Sequence, residues 1–174
     1  MSYVLSFSGG IDSTSLLLKL LCKKEDVYAL TFDYGQKHGI EIEFAKRNIS
    51  YLSDCGFNIE HQVINISDLV NILQSSLTDE GVEVPEGHYL DENMKSTFVP
   101  NRNSIFSSII YAYSISIYKR TKNPVTLSLG VHTGDHLIYP DCRPEFYKQI
   151  MKAFQIGNWD SENIDIYLPY MNIS

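Results

Sequence analysis

Six residues near the start of the chain have the types and spacing to handle phosphate: Ser8, Gly9, Gly10, Asp12, Ser13 and Thr14. Gly9 and Gly10 carry no Cβ and can adopt positive φ, so backbone amides here can come close to an anion. The hydroxyls of Ser8, Ser13 and Thr14 can donate to phosphate oxygens. Asp12 has two readings, a ligand for a magnesium ion or a cap for a helix. The apolar run Tyr3-Val4-Leu5 before these residues is long enough for one strand, and Ser15-Leu16-Leu17-Leu18-Lys19-Leu20-Leu21 after them reads as a buried helix. Strand, glycine turn and helix together make a phosphate cradle.

The cradle is not a Walker loop, because no Gly-Lys-Ser/Thr follows, and it is not Gly-x-Gly-x-x-Gly. Ser-Gly-Gly-x-Asp-Ser resembles the PP-loop of ATP pyrophosphatases, which adenylate a substrate and release pyrophosphate. That resemblance implies ATP as cosubstrate.

The bulk composition agrees with a single globular domain spanning residues 1–174. Of its 174 residues, 44% are hydrophobic and 20% charged, enough apolar material for a core and too little charge for a disordered chain. A net charge of −7 argues against a protein that grips nucleic acid, which needs a lysine and arginine face. Cys22, Cys55 and Cys142 are widely spaced and odd in number, the pattern of reduced thiols in a cytoplasm. No stretch approaches the roughly 20 apolar residues of a membrane span.

The elements that must position the cradle alternate along the chain. Strands are predicted at Val27 to Tyr34, Ile59 to Ile66, Val125 to Val131 and Ile164 to Leu168. Helices are predicted at Glu41 to Leu52, from Ser67 to about Leu77, from Asn103 to about Lys119, and at Glu145 to Gln155 with Gly157 as a stop. Thr78 to Thr97 lacks periodicity and reads as a long loop that could serve as a lid. Alternating strands and helices imply an α/β fold with a doubly wound parallel sheet. Ligands of such sheets sit at the carboxyl ends of the strands, which gathers the cradle, Asp33 to His38, Pro100 to Asn103 and the loop His132 to Arg143 into one site.

Four segments in order resemble the 7-cyano-7-deazaguanine synthase family: Ser8-Gly9-Gly10-Ile11-Asp12-Ser13-Thr14, Phe32-Asp33-Tyr34-Gly35-Gln36-Lys37-His38, Val99-Pro100-Asn101-Arg102-Asn103 and Tyr139-Pro140-Asp141-Cys142-Arg143-Pro144-Glu145-Phe146. The resemblance covers nearly the whole chain. It implies an adenine nucleotide alpha hydrolase-like (PP-loop) fold and an ATP-dependent ligase that turns 7-carboxy-7-deazaguanine and ammonia into a nitrile. It also implies magnesium and a homodimer, and the cysteine pattern points to a cytoplasmic location.

On this reading Ser8, Gly9, Gly10, Asp12, Ser13, Thr14, Phe32 and Asp33 hold ATP, with Asp12 on the metal. Arg102 and Arg143 grip carboxylate or phosphate, each planar, always charged and able to make two-point contacts. Asp135 and Asp141 accept from the donor edge of the deazaguanine. Tyr34 and Tyr139 stack on a base, and Gln36, His38 and Asn103 line the substrate. Asp12, Arg102, Asp135 and Arg143 form the catalytic set. His132, His136 and Cys142 could in principle hold zinc, but Gly134 argues against the regular helix that would align the two histidines. His61 reads as structural, and His88 falls in the long loop.

The chain departs from the family in two ways. Members usually continue into a segment whose cysteine cluster binds zinc; no such cluster is present here, which puts catalysis in doubt more than nucleotide binding. Asn101 stands where many members have glycine, and asparagine tolerates left-handed backbone. Two further readings stay open at this stage: a related PP-loop enzyme acting on a macromolecule, and an ATP-binding remnant without turnover.

Overall fold

The computed structural model describes residues 1–36, 39–70, 98–132, 134 and 139–171. Strand β1 (Ser2–Ser6) leads through the glycine turn into helix α1 (Ile11–Cys22), then β2 (Asp26–Asp33), α2 (Ile40–Asp54), β3 (Ile59–Asn65) and the short α3 (Ser67–Val70). Helix α4 (Arg102–Thr121) is followed by β4 (Val125–Ser128), a 3-10 turn at Pro140–Cys142, α5 (Pro144–Gly157), a second 3-10 turn at Ser161–Asn163, and β5 (Ile164–Tyr167). The five strands form one parallel sheet in the order β3-β2-β1-β4-β5.

Two apolar layers hold the sheet between them. Leu16, Leu17, Leu20 and Leu21 of α1 and Ala45, Ile49 and Leu52 of α2 pack on Leu5, Phe7, Val27 and Ala29. On the other face Ile110, Tyr111, Ile115 and Ile117 of α4 and Tyr147 and Met151 of α5 pack on Val4, Leu30, Val125 and Leu127. The inner strands β1, β2 and β4 are mostly buried, whereas the edge strand β3 is polar and partly exposed. The chain winds outward from β1 to β3, then returns past β1 to β4 on the opposite face. The crevice between β1 and β4 is therefore the switch point where such sheets bind ligands.

The doubly wound parallel sheet expected from the sequence is present, and most differences are at element ends. Strand β4 stops at Ser128 rather than Val131, because Leu129 to Val131 leave the sheet to wall the cavity described below. Gly157 lies within α5 rather than after it. Helix α4 forms despite its β-branched residues because its buried positions, Asn103, Ser107, Ile110, Tyr111, Ser114 and Ile117, recur at helical spacing. Ser114 donates to the Ile110 carbonyl and Thr121 to that of Ile117, which gives their hydroxyls partners without leaving the helix. Residues 71–97, with most of the helix expected after Ser67 and the expected lid, lie outside the described residues. No described helix is long and apolar enough to cross a membrane.

Candidate active site

The glycine turn is built by its own hydroxyls. Ser13 Oγ donates to the Gly10 carbonyl at 3.1 Å, Ser8 Oγ lies 3.1 Å from Ser13 Oγ, and the Gly10 amide donates to Ser8 Oγ at 3.2 Å. Gly9 has φ +82°, and a Cβ placed on it would lie 2.6 Å from the Ala45 nitrogen and 3.0 Å from the Glu41 carbonyl. Helix α2 thus presses directly on the turn, which only glycine permits. From the other side Gly130 packs on the turn less tightly: a Cβ there would lie 3.2 Å from the Asp12 carbonyl carbon and the Ser13 nitrogen.

No side chain caps α1, whose N-cap is Gly10. Its first amides and the positive end of its dipole therefore point unmet toward the strand ends, an anion site by geometry. The capping role considered for Asp12 is not used. The Asp12 carboxylate is instead 54% exposed and 3.9 Å from His132 Nε2. His132 Nδ1 accepts the Gly134 amide, which leaves the ring proton on Nε2, facing Asp12.

A cavity of about 380 Å³ opens beside this turn. It is lined by Ser8, Gly10, Asp12 and Ser13 from the turn, Phe32, Tyr34 and Gln36 from the end of β2, Arg102, Asn103 and Phe106 from α4, Leu129 to Val131 after β4, and Tyr139. Four separate parts of the chain that the sequence pointed to meet here. Gly9 and Thr14 face a shallower depression on the outer side of the turn, where Asn48 Nδ2 donates to Thr14 Oγ1 at 3.5 Å. The Asp33 carboxylate turns back onto the Gly35 amide at 3.3 Å.

Arg102 is the one arginine or lysine among the described residues lining the cavity. Burial opposes its charge, but the neighbouring Tyr34, Asp141 and Cys142, with a hydrogen bond to Tyr34, outweigh that and raise its pKa. Burial likewise raises the Tyr34 pKa, Arg102 lowers it in part, and Glu41 adds to the rise, so the phenol stays neutral. Asn101, before Arg102, has φ 58° and takes the left-handed conformation that asparagine tolerates.

Asp141 and Arg143 stand apart from the cavity lining. The Asp141 carboxylate is buried and accepts the Asn103 amide at 3.3 Å, while Asn103 Nδ2 reaches the Asp141 carbonyl and Cys142 Sγ at 3.4 and 3.3 Å. These bonds tie the Pro140–Cys142 turn to the first turn of α4. Arg143 is exposed at the start of α5. His38, Asp135 and His136 lie outside the described residues.

Phe106 and Glu41 are among the lining residues that escaped the sequence reading. Phe106 stacks on Phe32 with centroids 4.2 Å apart and planes 5° apart, and leans on Tyr34 at 5.6 Å. It lies one helical turn after Arg102, a spacing that puts both on one face of α4. Glu41, in the first turn of α2, also lines the cavity and contributes to the raised Tyr34 pKa; no local pattern distinguishes it from the other acidic residues of that helix.

Residues 2–174 match the family model described as queuosine biosynthesis protein QueC. The protein named 7-cyano-7-deazaguanine synthase in Pseudoalteromonas translucida is 43% identical over 170 residues, covering 97% of this chain and 72% of its own. Its namesake in Methanoregula boonei is 42% identical over 174 residues, covering 100% and 75%. The crystal structure of a predicted tRNA methyltransferase subunit from Methanocaldococcus jannaschii superposes with a TM-score of 0.56 at 15% identity, over 100% of this chain and 70% of that one, and shares the fold.

Proposed function

The chain belongs to the QueC family of queuosine biosynthesis proteins, and on that premise we propose how its cavity works. The protein is an ATP-dependent carbon–nitrogen ligase of the PP-loop class that converts 7-carboxy-7-deazaguanine and ammonia to 7-cyano-7-deazaguanine. The observation that carries the site assignment is the sharing of one cavity by the open amides of α1 and the guanidinium of Arg102.

A carboxylate is a poor electrophile, so one of its oxygens first attacks the α-phosphate of ATP and expels pyrophosphate. Ammonia attacks the resulting mixed anhydride, AMP leaves with that oxygen, and an amide forms. The amide oxygen then attacks the α-phosphate of a second ATP and expels a second pyrophosphate, and loss of AMP with that oxygen and of the remaining nitrogen-bound protons leaves the nitrile. Negative charge grows on phosphate oxygens in both activations. The amides of α1 meet that charge without rearrangement, because the turn, held by the hydroxyls of Ser8 and Ser13, already fixes them. Arg102 holds the carboxylate through two parallel hydrogen bonds. Phe32, Phe106 and Tyr139 provide flat apolar surface for a base. Glu41 supplies negative charge that draws incoming ammonium to the cavity.

Magnesium fits the residues present. It commonly binds through one or two carboxylates together with substrate phosphates, and Asp12 offers an exposed carboxylate at the mouth of the turn. When bound it would neutralise phosphate charge. A cytoplasmic homodimer completes the reading, with sedimentation velocity as the test of assembly. The activity itself is tested by incubating the chain with ATP, ammonium and 7-carboxy-7-deazaguanine and following base, amide and nitrile by mass spectrometry. Nitrile formation supports the reading; unchanged base with a folded, ATP-binding chain overturns it.

A further inference from the structure

The peptide between Phe7 and Ser8 joins the sheet to the glycine turn, and side chains from two other strands hold it. The Phe7 amide donates to the Leu30 carbonyl at 2.8 Å, continuing the β1–β2 ladder one step past Ser6. There a side chain takes over: Thr31 Oγ1 donates to the Phe7 carbonyl at 2.6 Å. A hydroxyl has one proton and a carbonyl only accepts, so the Thr31 oxygen must in turn accept from His61 Nε2, 2.8 Å away on β3. The His61 ring stands edge-on to the Phe7 ring, with centroids 6.2 Å apart. Two hydrogen bonds thus run from β3 through the buried Thr31 to the end of β1.

This relay decides which way the next amide points. Thr31 lies two residues after Ala29, so its side chain is on the sheet face covered by α1 and α2. Its bond draws the Phe7 carbonyl toward β2 and that face. A trans peptide is planar, with its N–H opposite its C=O. The Ser8 N–H is therefore turned away from β2, toward the face where Arg102 and Phe106 of α4 line the cavity. Ser8 lines the cavity too, and its amide makes no hydrogen bond among the described residues. Thr31 also borders the cavity, but its one proton is already given to Phe7.

We propose that Thr31 is a positioning residue for the phosphate site: its hydroxyl, oriented by His61, turns the Ser8 amide toward an anionic oxygen of the nucleotide without touching the ligand. The proposal rests on the placing of ATP at this turn under Proposed function. Without the relay the Phe7–Ser8 peptide is free to rotate, which removes a donor from the site and turns a carbonyl oxygen toward the anion. The loss falls on the phosphates and spares the nucleoside.

Thr31→Val keeps the shape and removes the hydroxyl, whereas Thr31→Ser keeps the hydroxyl. Equilibrium dialysis with ATP and with adenosine, up to millimolar ligand, gives the affinities of both variants and the unaltered chain, with circular dichroism to verify folding. Thr31→Val is expected to weaken ATP about tenfold, the scale of one lost hydrogen bond to a charged group, and to leave adenosine within about twofold. Thr31→Ser should hold ATP within about twofold of the unaltered chain. Unchanged ATP affinity in Thr31→Val overturns the proposal, as do equal losses for ATP and adenosine, the mark of a generally disturbed pocket. Thr31→Ser as weak as Thr31→Val overturns it as well. If Thr31→Val does not fold, His61→Leu removes the far end of the relay: a loss of about threefold for ATP alone supports the proposal, and unchanged affinity overturns it. An unaltered chain that binds no ATP removes the site assignment, and the proposal with it.

Discussion

Replacing Gly9 by alanine tests how the turn is held. The methyl group would lie 2.6 Å from the Ala45 nitrogen, about 0.8 Å short of an ordinary contact of 3.4 Å, and 3.0 Å from the Ala45 Cα and the Glu41 carbonyl. All three atoms belong to the backbone of α2, so no side-chain rotation relieves the clash. The φ of +82° adds the penalty of a left-handed conformation, about 1–2 kcal/mol for an L-residue. Overpacking against rigid backbone adds about 1–3 kcal/mol. The expected loss is then about 2–5 kcal/mol, which for a chain of this size lowers the melting temperature by about 4–20 °C. Gly10 is the control: its φ is −72°, and a Cβ there meets only Ser8 Oγ at 3.3 Å. Gly10→Ala should therefore cost under about 1 kcal/mol. Melting curves of both variants, with and without ATP, make the comparison, and Gly9→Ala should also lose most of the ATP-induced shift because α2 and the turn must separate. Equal melting temperatures for the two variants would refute the reasoning.

Other perturbations reach other parts of the structure. Glu41→Gln should raise the KM for ammonium with little change in the KM for ATP, and hydroxylamine, a nucleophile neutral at working pH, should restore the rate; steady-state kinetics with both nucleophiles decides this. His61 Nε2 lies 2.8 Å from Thr31 Oγ1, and burial first, then Lys46, lower its pKa below 6.5. The unfolded chain thus binds the extra proton first, so stability is full above pH 6.5 and falls as pH drops through the folded value. In His61→Gln that acid slope, at most about 1.4 kcal/mol per pH unit for one proton, should disappear from melting curves. Tyr113 donates to Glu60 Oε1 at 2.6 Å, and burial together with Glu60 pushes its pKa up to about 12. Stability present below pH 10 should be lost as pH rises from 10 toward 12, and Tyr113→Phe should flatten that alkaline limb in a titration followed by circular dichroism.

The parts of this site that the sequence revealed are those whose chemistry is local. Gly9 and Gly10 stand next to each other, so their turn could be read without knowing what packs on it, although the pressing of α2 against Gly9 could not. Helix α4 was legible because burial follows a period that overrides β-branched propensity. Arg102 was found through its motif, while its neighbours Tyr34 and Phe106 join it only because β2 and α4 cover the same face of the sheet. Asp141 shows the limit most plainly. Its carboxylate, expected on the base, receives the amide of Asn103 from 38 residues away, and no spacing rule carries that information.

The central claim is that this cavity activates a carboxylate oxygen and then an amide oxygen on ATP. Substrate labelled with oxygen-18 in both carboxylate positions, turned over with ammonium, tests it directly by mass spectrometry of the nucleotides. Two molecules of AMP per nitrile are expected, each carrying one labelled oxygen. Label appearing in water, or unlabelled AMP accompanying nitrile, would contradict it.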